Sequence, residues 1–357
     1  MEILKETKKI LSGDKMLTMS QHVRKFEQAF SKYCGVKYAI ATNSCTGALE
    51  ICLSSLNLTK EDEVIVPVQT FIATGSAVLK SGAKIVFCDV DNNFLLDLNC
   101  LKKLITKRTK AVIIVHFAGM ISENIIKIKN YLNRRGIVLI EDDAHSHGAT
   151  YGNLKAGNIG DFGCFSFYST KIMTTGEGGM ITVNKKDKYE ICSSIRSRGM
   201  DVNLKRELFI NLGSNYRVTE FQALLGIYQL KRLENFLKHR NKIANIYKNQ
   251  FKDLIIKNII RLQQPVENSR HAYWRFIVFL EKHNRDEIQR KLKSFNINSD
   301  APYSPLLHDQ PVFKKFKKNR YSNAEKLSSK HISLPINMLI SQKDARFIAK
   351  TLSKLLS

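Results

Sequence analysis

Residues 137–149 read IVLIEDDAHSHGA. Ile137 to Ile140 are apolar without a break, and Glu141, Asp142 and Asp143 follow at once. A strand apolar on successive residues has both faces covered, the condition of a parallel sheet with helices on each side. Such a sheet gathers ligands at the carboxyl ends of its strands, so these carboxylates stand where a ligand is met. Working outward, short β-branched runs recur at 38–44 (YAIATNS), 63–68 (EVIVPV), 84–90 (KIVFCDV) and 111–117 (AVIIVHF), then at 162–167 (FGCFSF) and 179–184 (GMITVN). Helical periodicity fills intervals between them at 46–57, 71–81, 123–135 and 186–197. The alternation predicts an α/β domain on a mostly parallel seven-stranded sheet.

Further along, 217–250 carries a polar-faced helical pattern that spans about 50 Å at ~1.5 Å per residue, enough to join two domains. A strand at 272–280 (AYWRFIVFL) and helices at 285–295 and 341–356 follow, the last with Ser341 as N-cap and Asp344 three residues on. We expect a large domain over 1–235 and a smaller C-terminal α+β domain over 236–357.

Composition narrows the function classes. The chain has 357 residues, 43% of them hydrophobic, which is a folded protein. No apolar run approaches the ~20 residues of a membrane span, and the start MEILKETKKILSGDK lacks a signal-peptide core. A cytoplasmic protein without membrane insertion is expected. The seven cysteines form no CxxC pair and lie in apolar runs, so they read as buried reduced thiols, and no His/Cys spacing calls for a metal. The formal charge of +25 favours anions, nucleic acid included. Its densest cluster, FKKFKKNR at 313–320, comes with no zinc-finger, RNP-type or helix-turn-helix pattern and reads as a solvated surface of the smaller domain. Nucleic acid is not expected as a partner.

Four local patterns carry chemistry. In FSFYSTKIMTTGEGGM (165–180), Lys171 follows Phe165, Phe167 and Tyr168 and precedes Gly176, Gly178 and Gly179, which let backbone approach a ligand. A lysine among apolar groups has a lowered pKa, and its neutral amine forms Schiff bases; the alternative is a packed stem with the ammonium in water. Asp142 offers a carboxylate at the ligand edge, with Asp143 its rival on the opposite face. Opposite a pyridine nitrogen, such a carboxylate keeps a pyridoxal phosphate ring protonated and electron-withdrawing; capping a helix is the ordinary alternative. In TNSCTGALEICL (42–53) a strand, a small polar turn and a helix start point backbone N–H groups at a phosphate. Cys45 and Thr46 are the candidates there, with Ser166 adding a hydroxyl, although such residues also serve as plain caps. Phe71, just beyond the strand at 63–68, either stacks on a flat ring or fills the core.

Taken in order, VRKFEQAFSKYCGVKYAIATNSCTGAL (23–49), VIVPVQTFIAT (64–74), VHFAGM (115–120), IEDDAHSHGATY (140–151), GDFGCFSFYSTKIMTTGEGGM (160–180), GSNYRVTEFQALLG (213–226), PLLHDQPVF (305–313) and ISLPINMLISQKDARFI (332–348) resemble the DegT/DnrJ/EryC1/StrS family of pyridoxal-phosphate-dependent sugar aminotransferases. The resemblance covers nearly the whole chain and implies the fold-type I aminotransferase architecture. It implies that Lys171 binds pyridoxal 5′-phosphate covalently and shuttles protons, that Asp142 partners the ring nitrogen and that Phe71 stacks on the ring. Cys45, Thr46 and Ser166 would hold the phosphate, and Asn215 would reach it from the neighbouring subunit of a homodimer. His145 would sit near the cofactor's phenolic oxygen, and His308 on a substrate-side loop. The implied reaction moves an amino group from an amino acid, L-glutamate, to a nucleotide-linked keto sugar for amino-sugar or surface-polysaccharide biosynthesis.

Departures are Cys45 where Gly or Ala is common, Asp143 where a small residue is usual, Ser20 in place of glycine, and an Asp14–Lys15 pair in place of an aromatic. Other readings are a cofactor-dependent sugar dehydratase, a branch in which the lysine is replaced by histidine, or an aminotransferase for another small ketone. A noncatalytic regulatory or nucleic-acid-binding protein on the same fold would leave Lys171, Asp142 and Ser166 unexplained.

Overall fold

The computed structural model describes residues 2–12, 16–201 and 208–357; the Asp14–Lys15 pair lies outside them. The predicted runs become β1 (Tyr38–Thr42), β2 (Glu63–Pro67), β3 (Lys84–Cys88), β4 (Thr109–Val115) and β5 (Val138–Asp142), followed by two short strands, β6 (Thr150–Tyr151) and β7 (Leu154–Lys155), and then β8 (Phe162–Ser166) and β9 (Gly179–Val183). Seven of these make one sheet in the order β1-β9-β8-β5-β4-β2-β3. The β3, β2, β4, β5 and β8 ladders are parallel, while β9 runs against both β1 and β8.

Both faces of the sheet are covered, as the unbroken apolar runs require. Ile140 belongs to one core with Ala48, Leu49 and Ile113. Its neighbour Leu139 belongs to a second core with Phe26, Phe30 and Phe165 on the other side. Period-two alternation thus sends successive β5 residues to opposite cores. In the parallel register Asp142 stands beside Val115 of β4 and Cys164 of β8, which puts its carboxylate at the ligand edge.

The helices in order are α1 (Glu2–Leu11), α2 (Gln21–Cys34), α3 (Cys45–Ser54), α4 (Ile72–Lys80), α5 (Leu98–Leu104), α6 (Ile125–Asn133), α7 (Lys186–Arg196), α8 (Glu220–Gln250), α9 (Lys252–Ile256), α10 (Arg285–Ser294), α11 (Ser322–Ser328) and α12 (Gln342–Leu356). The long helix α8 begins at Glu220 because Thr219 and Gln222 close a reciprocal capping box. Ser341 and Asp344 do the same for α12, as expected. Leu233, Phe236 and Leu237 of α8 join the second core. From Ile243 onward the helix joins a third, with β10 (Ile260–Leu262), β12 (Phe276–Leu280), β13 (His331–Leu334) and α12. A short strand β11 (Ser269–Arg270) pairs with β6.

Two expectations need correction. The strand expected over 272–280 starts only at Phe276, because Tyr273 takes a left-handed φ of 49°. A strand cannot pass through that conformation. In the basic 313–320 segment the lysines are exposed, as a solvated surface requires, but Phe313 is not part of that surface: it is buried in the first core against Phe87. All seven cysteines are free, and six of them are buried. Among the described residues, no helix is long and apolar enough to cross a membrane.

Candidate active site

The carboxyl ends of β4, β5 and β8, the segment after β2 and the start of α3 enclose a cavity of about 410 Å³. Ser44 caps α3, its hydroxyl accepting from the Gly47 N–H at 3.0 Å. Cys45 and Thr46 open the helix and line the cavity, where unpaired N–H groups and the positive end of the helix dipole face inward. Gly179 of β9 runs so close to Ser44 and Cys45 that any side chain there would collide with the α3 start. That is what the glycine-rich turn provides. Ser166 ends β8 on the same wall, accepting from the Tyr168 N–H at 3.3 Å.

Asp142 faces the cavity. Its Oδ2 accepts from the Thr74 hydroxyl at 2.9 Å and its Oδ1 from the Ala144 N–H at 3.2 Å; Thr70 lies 2.7 Å from Thr74 and extends the chain of hydroxyls. No cation pairs with this carboxylate among the described residues. Burial raises its pKa, while the Thr74 and Ala144 bonds and the more distant Lys171 charge lower it. Asp143 points to the opposite face, where Oδ1 accepts from the Ser146 hydroxyl at 2.6 Å. Burial and the neighbouring Glu141 push its pKa well up. His116, Glu141 and Asp143 form a buried polar group there; Glu141 is taken up by His116 at 2.9 Å and by the N–H groups of Ile159 and Gly160 at 2.8 and 2.7 Å.

Lys171 forms part of the cavity wall, its amine 4.4 Å from the centroid of the Trp274 ring. Phe165 and Phe167, expected beside it, instead turn into the second core; Trp274 supplies the apolar surface, tied by its indole N–H to the Thr170 carbonyl at 2.9 Å. Burial pushes the Lys171 pKa down to about 8 from 10.5, with Asp142 pulling the other way. His145 stacks on Trp274 at 3.7 Å and 5°, and its Nε2 lies 2.6 Å from the Tyr303 hydroxyl. Burial first, then Lys171, drives the His145 pKa well below its ordinary value, so the ring is neutral.

Phe71 stands at the cavity mouth with 54% of its surface exposed, 5.9 Å from the Tyr303 ring. Asn215 is exposed on a turn outside the cavity of its own chain, its Oδ1 accepting from Arg217 Nε at 3.0 Å. His308 is not brought to the cavity: it is wholly buried between Phe87 and Tyr321, near Asp309 and Glu325. Sequence reasoning missed Thr70, Thr74, Trp274 and Tyr303. The two threonines carry a signal in hindsight, since they flank the start of one helix, Thr70 just before its N-cap Phe71 and Thr74 in its first turn.

A buried carboxylate without a cation, a helix start with a hydroxyl beside it, a ring at the mouth and an amine of depressed pKa fit one group: a flat, phosphorylated pyridine aldehyde. The Asp142 oxygens have room for a protonated ring nitrogen, the α3 start for a phosphate and Lys171 for a carbonyl carbon.

Known proteins agree. Residues 1–353 match the model of the DegT/DnrJ/EryC1/StrS aminotransferase family. The GDP-perosamine synthase of Caulobacter vibrioides is 35% identical over 95% of this chain and 91% of its own length. The Helicobacter pylori PseC structure, an aminotransferase involved in the biosynthesis of pseudoaminic acid, superposes with a TM-score of 0.92 at 26% identity, covering 100% of this chain and 96% of that one. A GDP-4-keto-6-deoxy-D-mannose-3-dehydratase of E. coli with bound hydrated PLP superposes with a TM-score of 0.90 at 27% identity, covering 98% and 96%. The chain belongs to the DegT/DnrJ/EryC1/StrS aminotransferase family and depends on pyridoxal 5′-phosphate.

Proposed function

We propose that this protein is a nucleotide-sugar aminotransferase that takes its amino group from L-glutamate and delivers it to a keto sugar, for amino-sugar or surface-polysaccharide biosynthesis. The observation that carries the reading is Lys171, an amine with its pKa pushed down to about 8, in one cavity with the cation-free carboxylate of Asp142. The relatives named for GDP- and UDP-linked amino sugars support the acceptor class. When bound, pyridoxal 5′-phosphate supplies an electron sink next to the reacting carbon. The α3 start, with Cys45 and Thr46, and the Ser166 hydroxyl hold its phosphate. Asp142, oriented by Thr74 and Ala144, holds a proton on the ring nitrogen, and Phe71 covers the ring from the mouth. Lys171 takes and returns the proton at the substrate carbon that carries nitrogen, a task suited to an amine that titrates near working pH. Neutral His145, locked between Trp274 and Tyr303, limits how the ring sits.

A dehydratase shares the fold, but the family resemblance implies a histidine in place of the lysine in that branch, and position 171 is Lys. We divide the chain into a cofactor-binding domain, 1–235, and a smaller domain, 236–357, as supported by the passage of α8 from the second core to the third between Leu237 and Ile243. The active unit is a cytoplasmic homodimer in which Asn215 of each copy completes the other's phosphate site. The exposed Phe209, Ile210 and Leu212 beside that turn support such an interface. The test is amino transfer from L-glutamate to a panel of GDP-, UDP- and TDP-linked keto sugars, with formation of 2-oxoglutarate as the readout. Turnover with at least one of them is expected; loss of water from the sugar without amination would instead favour the dehydratase.

A further inference from the structure

A second hollow adjoins the cavity. The cleft between the sheet domain and the third core measures about 980 Å³ and shares Thr170, Lys171 and Trp274 with it. These three residues form a partition between the two spaces, and the charges on its sides differ. Toward the cavity the lining carries Asp142 and Glu177, and Lys171 is its one cation among the described residues. A dicarboxylate entering there meets no guanidinium of this chain, and burying an unpaired carboxylate is costly. The cleft adds, beside Asp300 and Asp344, three arginines: Arg232, Arg240 and Arg275.

Of these, Arg240 is spoken for: its Nη1 donates to the carbonyls of Tyr273 and Ile336, each at 2.9 Å. Arg232 lies at the exposed rim. Arg275 is different. Its Nη2 pairs with Asp300 at 3.0 Å; the buried Nε atoms of Arg275 and Arg240 both donate to nothing among the described residues, so what sets Arg275 apart is its place beside Lys171. Its guanidinium carbon lies 4.7 Å from the centroid of the Trp274 ring, and the Lys171 amine lies 4.4 Å from that ring's centroid. Two cations thus share one indole, and the Arg275 charge helps to depress the Lys171 pKa. An anion bridging them would relieve the repulsion, and a planar guanidinium with a free edge matches a carboxylate.

We infer that Arg275 binds a carboxylate of the amino-acid donor, so that the donor occupies the cleft side of the partition with its amine at Lys171. This rests on the aminotransferase reading. L-Glutamate is long enough to place its amine beside the Lys171 nitrogen and a carboxylate on Arg275. Asp300 holds the guanidinium in place until the donor arrives.

The test titrates the holoenzyme with 2-oxoglutarate, read by the emission of Trp274, the sole tryptophan of the chain. Arg275→Met is expected to weaken 2-oxoglutarate binding about 10- to 100-fold, the loss of charge-assisted hydrogen bonds. Arg275→Lys should lose less, and Asp300→Asn, which frees the second edge, should bind more tightly. The KM for L-glutamate should rise in Arg275→Met while that for the keto-sugar nucleotide stays put. Unchanged 2-oxoglutarate affinity in Arg275→Met, or a rise confined to the keto-sugar KM, overturns the inference. Should Arg275→Met fail to fold, unchanged affinity in both Arg275→Lys and Asp300→Asn overturns it equally. Failure of the parent reading looks different: no cofactor would then be found on Lys171, whatever 2-oxoglutarate does.

Discussion

Replacing Asp142 by asparagine keeps the shape of the cavity and removes one buried negative charge. The Ala144 N–H, now 3.2 Å from Oδ1, can still donate to the carboxamide oxygen, and the Thr74 hydroxyl, now 2.9 Å from Oδ2, can turn to accept from the carboxamide NH2 while donating to Thr70, so the fold should persist. The phosphate site at the α3 start and Ser166 does not include Asp142, so cofactor should be retained. What goes is the charge that holds a proton on the ring nitrogen. Removing one preorganised electrostatic group from a water-excluded site costs about 3–4 kcal/mol of transition-state stabilisation, roughly 10²- to 10³-fold in rate. Lys171 is affected as well. Asp142 is the main influence raising its pKa against burial, so in Asp142→Asn the amine should titrate below about 8. Asp143→Asn is the control: burial and Glu141 already push the Asp143 carboxyl toward its protonated form, and that group faces away from the cavity. Its rate should stay within a few-fold of wild type. The assay pairs the visible absorbance retained after gel filtration with initial rates of amino transfer. A near wild-type Asp142→Asn beside an inactive Asp143→Asn would refute the assignment.

Further outcomes follow from the same geometry. In cofactor-free protein the rate of pyridoxal 5′-phosphate capture should rise with pH as the amine loses its proton, with a midpoint of about 8; a midpoint near the ordinary lysine value would contradict the burial argument. Ser341→Ala opens the α12 capping box and should cost about 1 kcal/mol in urea unfolding, leaving cofactor capture untouched; an unchanged midpoint would mean the cap contributes nothing. Lys171→Ala and a bulky replacement of Asn215 should each be inactive, yet mixed subunits should regain part of the activity, because one site of each heterodimer keeps both native residues. Confirmed heterodimers without rescue would place Asn215 in its own chain's site.

The elements legible in the sequence are those whose signal is local. The apolar run before Glu141 became β5, and strict alternation put Asp142 and Asp143 on opposite faces, leaving only the choice between them open. The capping residues of α12 were readable because a cap is a four-residue motif. The depressed amine of Lys171 was readable as chemistry, but its neighbours were not: Phe165 and Phe167 point away, and Trp274 arrives from a hundred residues downstream through a left-handed turn at Tyr273 that no periodicity announces. Tyr303 likewise reaches His145 from a loop, with a φ of 60°. His308 was placed by its segment's resemblance, whereas burial against Phe87 takes it away from the cavity. Contacts between distant parts of the chain decide such residues, and a linear pattern does not record them.

The most direct measurement is the location of the cofactor. Purified protein should be yellow, and borohydride should fix pyridoxal 5′-phosphate irreversibly, after which peptide mapping should find the label on Lys171 alone. Most other lysines among the described residues are exposed, and Lys171 is singled out by its lowered pKa and by the phosphate site beside it. Label on the peptide spanning 165–180 at Lys171 is the predicted result; label on any other lysine, or colourless protein that takes up no cofactor, would contradict the account.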